Sequence, residues 1–281
     1  MTRTLAYSPC PNDTYVFAAL ANGLLDGAPH VDVRLADIDE LNAAAEAGTF
    51  DLVKVSYGAV PYLTGTYRAL RCGGAVGRAC GPLLIAKPGR APELFADMRD
   101  RQIAIPGEHT TAFLLLQLAL GGRPKRVLRM RFDRIVDAVA NDEVEAGLII
   151  HESRFTYRDR GLISIVDLGE WWENLTLLPI PLGAILVRRD VPDDEARVLA
   201  QAIRGSLAFA RAHEATVMPY VRAHAAEMDD SVMRRHIDLY VNEFTDDIGE
   251  VGAEAVAALL ARAHDAGVAP AGAGLEFVAA G

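Results

Sequence analysis

The sequence predicts an α/β protein folded as two lobes around a central cleft. Three observations carry this reading. A chain of 281 residues lies where a single hydrophobic core stops growing, which favours two compact bodies over one. Short apolar runs alternate with segments of helical period, the pattern of βα units and a mainly parallel sheet. The same strand, loop and helix order also occurs twice along the chain at a nearly constant offset.

The first copy opens with Leu5-Ala6-Tyr7 as a strand and Ser8-Pro9-Cys10-Pro11-Asn12-Asp13 as a proline-stiffened loop, followed by a helix from about Thr14. Asp39 to Glu46 reads as a second helix closing at Gly48, and Asp51-Leu52-Val53-Lys54-Val55-Ser56 as the next strand. The second copy has Ile103-Ala104-Ile105, the loop Pro106-Gly107-Glu108-His109 and a helix through Phe113 to Leu120. A helix over Ile135 to Ala140 and the strand Glu145 to His151 complete it. Pro9 and Pro106 stand 97 residues apart, and Asp51 and Glu145 stand 94 apart. Two apolar runs, Pro82 to Ala86 and Pro181 to Val187, bracket the second copy as an outgoing and a returning strand. The expected larger lobe is therefore discontinuous, residues 1–86 with 187–281, and the smaller lobe is 87–186. From Asp194 onward Ala196, Leu199, Ile203 and Leu207 keep a helical period, and Val251 to Ala263 is alanine-rich. These helices are expected to pack over the larger lobe.

Composition narrows the function. Hydrophobic residues make up 51% and charged residues 23%, which is ordinary for a globular protein. A net charge of -10 disfavours a nucleic-acid surface, which needs clustered Lys and Arg. It leaves room for a small anionic substrate held by a few donors in a cleft. Cys10, Cys72 and Cys80 show neither a paired framework nor metal-ligand spacing, and no metal is expected. No run approaches the roughly 20 apolar residues of a membrane span. The opening MTRTLAYSPCPND lacks the pattern of an export signal, so the expected location is the cytoplasm. The sequence carries no mark of oligomeric state.

Ligands of open α/β sheets bind at the carboxyl ends of strands. This rule selects four segments. The loop from Ser8 to Thr14 offers helix-capping residues or an anion-binding helix head, with Asn12 as a candidate cleft residue. Lys54 and Ser56 share one side of a strand, where a buried lysine needs a carboxylate or the cleft. Thr110 and Thr111 together exceed what one helix cap requires, so one hydroxyl is expected to cap and the other, with backbone N–H groups, to bind a carboxylate. His151 follows the buried Gly147-Leu148-Ile149-Ile150 and titrates near neutrality, the property of a general base. The glycine-rich Cys72 to Gly81 lacks the Gly-Lys-Ser/Thr ending of a phosphate loop. It reads as a compact loop leading to the first crossover.

Taken together, Ser8-Pro9-Cys10-Pro11-Asn12-Asp13-Thr14, Lys54-Val55-Ser56-Tyr57, His109-Thr110-Thr111-Ala112 and His151-Glu152-Ser153-Arg154-Phe155-Thr156-Tyr157 resemble the 1,4-dihydroxy-6-naphthoate synthases. So do Trp171-Trp172, Leu178 to Ala184, and Tyr240-Val241-Asn242, in order over nearly the whole chain. Tyr15 departs from the pattern, standing where phenylalanine is expected. The resemblance implies a two-lobed type II periplasmic-binding-protein-like fold used as an intracellular enzyme. It also implies conversion of cyclic dehypoxanthine futalosine to 1,4-dihydroxy-6-naphthoate in the futalosine route to menaquinone. Carried over by residue, His151 is the implied catalytic base, and Lys54, Val55, Ser56, Thr110 and Thr111 are the implied substrate-binding residues. No redox cofactor is needed, because proton removal, carbon–carbon cleavage and aromatisation require only a base and fixed donors. Rival readings are the chorismate dehydratase of the same pathway and a non-catalytic solute-binding protein.

Overall fold

The computed structural model describes residues 2–226, 229–270 and 274–279. The first part of the chain builds β1 (Arg3–Tyr7), α1 (Pro11–Ala21), β2 (Val31–Leu35), α2 (Ile38–Glu46), β3 (Leu52–Ser56), α3 (Val60–Leu63), β4 (Tyr67–Ala69) and β5 (Ala75–Gly77). The middle builds β6 (Leu83–Ala86), β7 (Gln102–Ile105), α4 (Thr111–Leu120), β8 (Arg126–Arg129), α5 (Phe132–Ala140), β9 (Ala146–Ile149), α6 (Ser153–Thr156), β10 (Ile163–Asp167) and α7 (Leu168–Thr176). The chain then returns through β11 (Ile180–Arg188) to α8 (Asp193–Ala212), α9 (Glu214–His224), α10 (Asp230–Tyr240), α11 (Glu243–Asp246) and α12 (Gly249–Asp265).

Two sheets result. The first has the order β2-β1-β3-β11-β4, with β5 also on β11, and the second has the order β10-β6-β9-β7-β8. Reading the second backwards gives the same arrangement: β8, β7, β9 and β6 take the places of β2, β1, β3 and β11. The internal echo is therefore structural. In both sheets the two core pairs are parallel, and the strand that crosses between lobes runs antiparallel to them. The sheets are thus mixed rather than mainly parallel, because each lobe accepts one strand arriving from the other.

This exchange moves the expected crossover points. Leu83–Ala86 pairs within the second sheet, so the chain leaves the first lobe before Leu83 and not after Ala86. Ile180–Arg188 pairs along the first sheet, so the return precedes Ile180 and not Val187. The glycine-rich stretch is also more than a loop, since Ala75–Gly77 pairs with β11. Helices α8, α9 and α10 cover α1, burying Ala196, Leu199, Ile203, Leu207, Val217, Val221, Met233 and Ile237 in one cluster with Leu5, Val16 and Phe17. Of the two sheets, the first thus carries the C-terminal helices.

The matched acids do the same work in each half. Asp51, just ahead of β3, accepts from the backbone N–H and hydroxyl of Thr4 on β1 at 2.8 and 2.9 Å. Arg3 and Arg188 complete its partners at 3.2 and 2.9 Å. Glu145, just ahead of β9, accepts from the N–H of Gln102 on β7 at 2.8 Å and from Arg101 and Arg126 at 2.8 and 3.1 Å. Each carboxylate pins the amino ends of the two central strands, at the edge opposite the cleft, and so fixes where their carboxyl ends finish.

Burial opposes the ionised form of Asp51, but the two Thr4 donors and both guanidiniums hold its carboxyl below the ordinary carboxylate range. Asp51→Asn is expected to destabilise the protein by about 1–3 kcal/mol at pH 7, because it leaves charged donors without their acceptor. A carboxyl lowered on folding contributes stability above its unfolded value and loses it as the pH falls. The gap between wild type and variant in urea unfolding should therefore narrow below about pH 4.

Candidate active site

The carboxyl ends of β1, β3, β7 and β9 converge on one cavity between the lobes, with about 640 Å³ of non-atom space including its mouth. Ser8, Asn12, Asp13, Lys54 and Ser56 line it from the first lobe, and Thr110, Thr111, Ala112 and His151 from the second. Ile38, Pro82, Ile150, Leu182 and Tyr240 supply apolar wall. Of the residues singled out from sequence, Val55 is the exception. Strand alternation turns its side chain into the hydrophobic core, between Lys54 and Ser56 on the other face.

Lys54 is only 4% exposed on a strand whose five residues are all buried. Its ammonium donates to Asp13 Oδ1 at 2.6 Å. Asp13 Oδ1 also accepts from Asn12 Nδ2 at 2.8 Å, while its Oδ2 accepts the Ser8 hydroxyl at 2.7 Å. The positive and negative charges therefore cancel within the wall. Ser56 is held by Asn42, whose Oδ1 accepts its N–H at 2.9 Å and whose Nδ2 donates to its Oγ at 3.3 Å. Among the described residues the Ser56 hydroxyl hydrogen has no acceptor, so it is available to a ligand.

The two threonines divide differently from the expectation. Thr110 caps α4 as foreseen, accepting from Phe113 N–H at 3.3 Å and donating to Gly107 O at 2.8 Å. The Thr111 hydroxyl is not left for a carboxylate. It donates to Leu182 O at 2.7 Å and accepts from Gly58 N–H at 3.1 Å, joining the second lobe to the first. What remains free at this helix head are the N–H groups of Thr111 and Ala112, which have no acceptor among the described residues. They lie at the positive end of the helix dipole, a setting suited to an anion.

His151 stands two residues beyond β9 with a left-handed backbone, φ +56°. That conformation costs a non-glycine residue about 1–2 kcal/mol, and such strain clusters at functional sites. The ring meets the edge of Phe132 at 4.9 Å between centroids. No side chain among the described residues hydrogen-bonds either ring nitrogen. Burial lowers its pKa to about 4; Asp13 opposes the shift and Lys54 adds to it. The imidazole is consequently neutral at pH 7 and able to take a proton.

Sequence reasoning passed over Asp13 as a ligand-wall residue, and it missed His236 and Asn42. Their signals are faint. His236 sits on the buried face of α10 with Val232, Met233, Ile237 and Tyr240, a helical stripe in which a histidine is the only polar member. Its ring lies 6.1 Å from that of His151, with 21° between planes. Cys10, Cys72 and Cys80 are free and buried. Among the described residues no group of three or more His, Cys, Asp or Glu side chains stands at metal-binding spacing, and no helix is long and apolar enough to cross a membrane.

Comparison with known proteins bears on the fold and the family. Solved structures of the same fold include the alkanesulfonate-binding protein SsuA from Xanthomonas axonopodis pv. citri, at TM-score 0.72 and 14% identity, covering 98% of this chain and 96% of that one. Protein AF1704 from Archaeoglobus fulgidus superposes at TM-score 0.88 with 32% identity, over 95% of this chain and 98% of that one. The 1,4-dihydroxy-6-naphthoate synthase of Streptomyces coelicolor is 48% identical over 96% of this chain and 95% of its own length. That of Thermus thermophilus is 48% identical over 94% and 95% respectively. A family model described as menaquinone biosynthesis matches residues 3–265. With its two-lobed periplasmic-binding-protein-like fold, the chain belongs to the 1,4-dihydroxy-6-naphthoate synthases, enzymes of menaquinone biosynthesis.

Proposed function

We propose that the enzyme converts cyclic dehypoxanthine futalosine to 1,4-dihydroxy-6-naphthoate in the cytoplasm, as a carbon–carbon lyase of the futalosine route, with His151 as general base. The observation that carries this reading is a neutral imidazole on a strained strand tip, facing a cavity whose remaining free donors are a hydroxyl and a helix head. The α4 N–H groups and Ser56 suit the carboxylate and carbonyl oxygens of a small anionic ring. The apolar walls suit its flat body. His151 removes a proton, the electron pair of the broken carbon–carbon bond passes into the ring as it aromatises, the remaining sugar-derived carbons leave as a separate fragment, and His151 returns the proton to the products. Residues of this wall provide all the acid–base and hydrogen-bonding groups that the scheme uses.

Closure of the lobes is part of the proposal. Gly58 lies so near the second lobe that an added Cβ would stand 2.7 Å from Thr110 O and 2.8 Å from His109 O. Arg129 of the second lobe pairs with Asp39 of the first at 2.5 Å. Tyr62 stacks on His109 with centroids 4.3 Å apart. These contacts exclude water from the reactive intermediate. The body expected from sequence, residues 1–86 with 187–281 against 87–186, serves in this scheme with its crossovers moved to the strand boundaries described above.

Replacement of His151 by alanine is expected to lower turnover of the cyclic substrate by about 10²–10⁴-fold, the usual contribution of a positioned base. Product formation measured at saturating substrate checks this, and turnover near wild type would remove His151 from the role. The pH profile gives a second check. With a folded pKa near 4, kcat/KM should stay flat down to about pH 5, well below the ordinary histidine value of about 6.5. Stability should behave in the opposite sense to a stabilised imidazolium. The unfolded chain binds the proton that the folded ring resists, so this group's contribution is complete above about pH 6.5 and is lost as the pH falls toward 4. An acid limb in kcat/KM at 6.5 would contradict a neutral base in this half-buried position.

A further inference from the structure

His236 is a fully buried titratable group in the cavity wall that the chemistry above leaves unused. Its surroundings determine which of its nitrogens carries hydrogen. Asp13, paired with the Lys54 ammonium at 2.6 Å, also takes the Ser8 hydroxyl at 2.7 Å and can only accept from Asn12. The Asn12 amide must therefore turn its NH₂ toward Asp13, at 2.8 Å, and its carbonyl oxygen away. That oxygen stands 2.9 Å from His236 Nε2. Two acceptors do not bond, so His236 Nε2 bears the hydrogen and donates it.

The donors thus run in one direction, from His236 to Asn12 and from Asn12 to Asp13, where Lys54 and Ser8 also end. In the neutral ring the other nitrogen, Nδ1, is bare. It is buried, has no hydrogen-bond partner among the described residues, and lies 3.8 Å from Glu152 Oε2 on the second lobe. A histidine kept in this tautomer at such a place does more than fill space, because leucine or phenylalanine would pack there without a buried lone pair. Released from His236, the Asn12 carbonyl would be left buried without a donor. It would then turn toward the ligand and draw its NH₂ off Asp13, and the Asp13 carboxylate and Lys54 would lose their common orientation.

We propose that His236 is a positioning residue: its Nε2–H anchors the Asn12 amide and, through it, the Asp13–Lys54 pair, so that the first-lobe wall keeps one fixed shape and polarity beside the anionic substrate. This rests on the reading that the cavity is the substrate site, but its central element is observable without turnover. In protein labelled with ¹⁵N-histidine, the ring shifts of His236 at pH 7 should report a protonated Nε2 and a bare Nδ1. A protonated Nδ1, alone or with Nε2, would overturn the proposal whether or not His151 is the base.

The kinetic arm uses two amides of different reach. The glutamine amide nitrogen falls near the place of Nε2, whereas asparagine is one methylene too short to meet Asn12. His236→Asn should lower kcat/KM by about 10–100-fold, mainly through KM, as expected for lost ground-state orientation. His236→Gln should recover most of that loss and leave the acid limb of the pH profile in place. In an Asn12→Ala background the His236→Asn change should cost little more, since the two act as one unit. Equal losses in the Asn and Gln variants, or a moved acid limb in the Gln variant, would show that the ring itself transfers a proton and would refute a positioning role. Absence of any loss in the Asn variant would refute it too. If the Asn variant fails to fold, the labelled wild-type spectrum still decides.

Discussion

The pair of Asp13 and Lys54 is the constraint on which the cavity depends. An ammonium placed in the middle of a fully buried strand is almost wholly withdrawn from water, and its desolvation is offset only by a carboxylate in good geometry with further donors around it. Asp13 supplies this from the first turn of α1. Breaking a buried pair by removing one partner typically costs about 3–5 kcal/mol, which locks the head of α1 to the tip of β3. The neighbouring strand makes way for the lysine stem. At Gly183 on β11 an added Cβ would come 3.0 Å from Lys54 Cε and 3.1 Å from Val55 O. Because the pair is neutral as a whole, the wall presents hydrogen-bond donors rather than a bare charge.

Lobe geometry follows from repeated use of one device. In each half an acid ahead of the second central strand clasps the amino end of the first, as Asp51 does for β1 and Glu145 for β7. The four strand tips consequently end at one level on each side of the cleft. The two crossings of the chain, ahead of β6 and ahead of β11, then tie the lobes together. Thr111 closes the gap further, bonding both the loop after β3 and a carbonyl of β11. The arrangement explains why this threonine hydroxyl serves the scaffold, while the backbone beside it is left for a ligand.

A protein with net charge -10 can still favour an anion locally. Field strength in a cleft depends on nearby oriented dipoles more than on the distant sum of charges, which salt screens over about 8–10 Å. Two free N–H groups at the head of an apolar helix, with a serine hydroxyl opposite, provide such dipoles without a mobile counter-charge. The same low-dielectric surroundings keep His151 neutral. An imidazole that resists protonation in these surroundings can gain a proton once an anionic ring lies beside it, since the imidazolium then has a partner.

Much of this was legible in the order of residues. Alternation of βα units, the doubled strand-loop-helix pattern and the matching of Asp51 with Glu145 follow from local periodicity and spacing, which neighbouring residues alone set. His151, Lys54, Ser56 and the helix start at Thr110 were recognisable because strand ends and caps are local events. Other features depended on residues distant in sequence. Only the folded chain shows that the Thr111 hydroxyl is consumed by Gly58 and Leu182, or that β6 joins the second sheet and β11 the first. His236 reaches Asn12 across 224 positions, and no local pattern encodes a hydrogen bond of that span. The sequence by itself determined which chemical groups were available and which ends of the strands carried them. Tertiary packing decided which of those groups remained unpaired, because hydrogen-bond partners are assigned by proximity in space, and proximity is what folding creates.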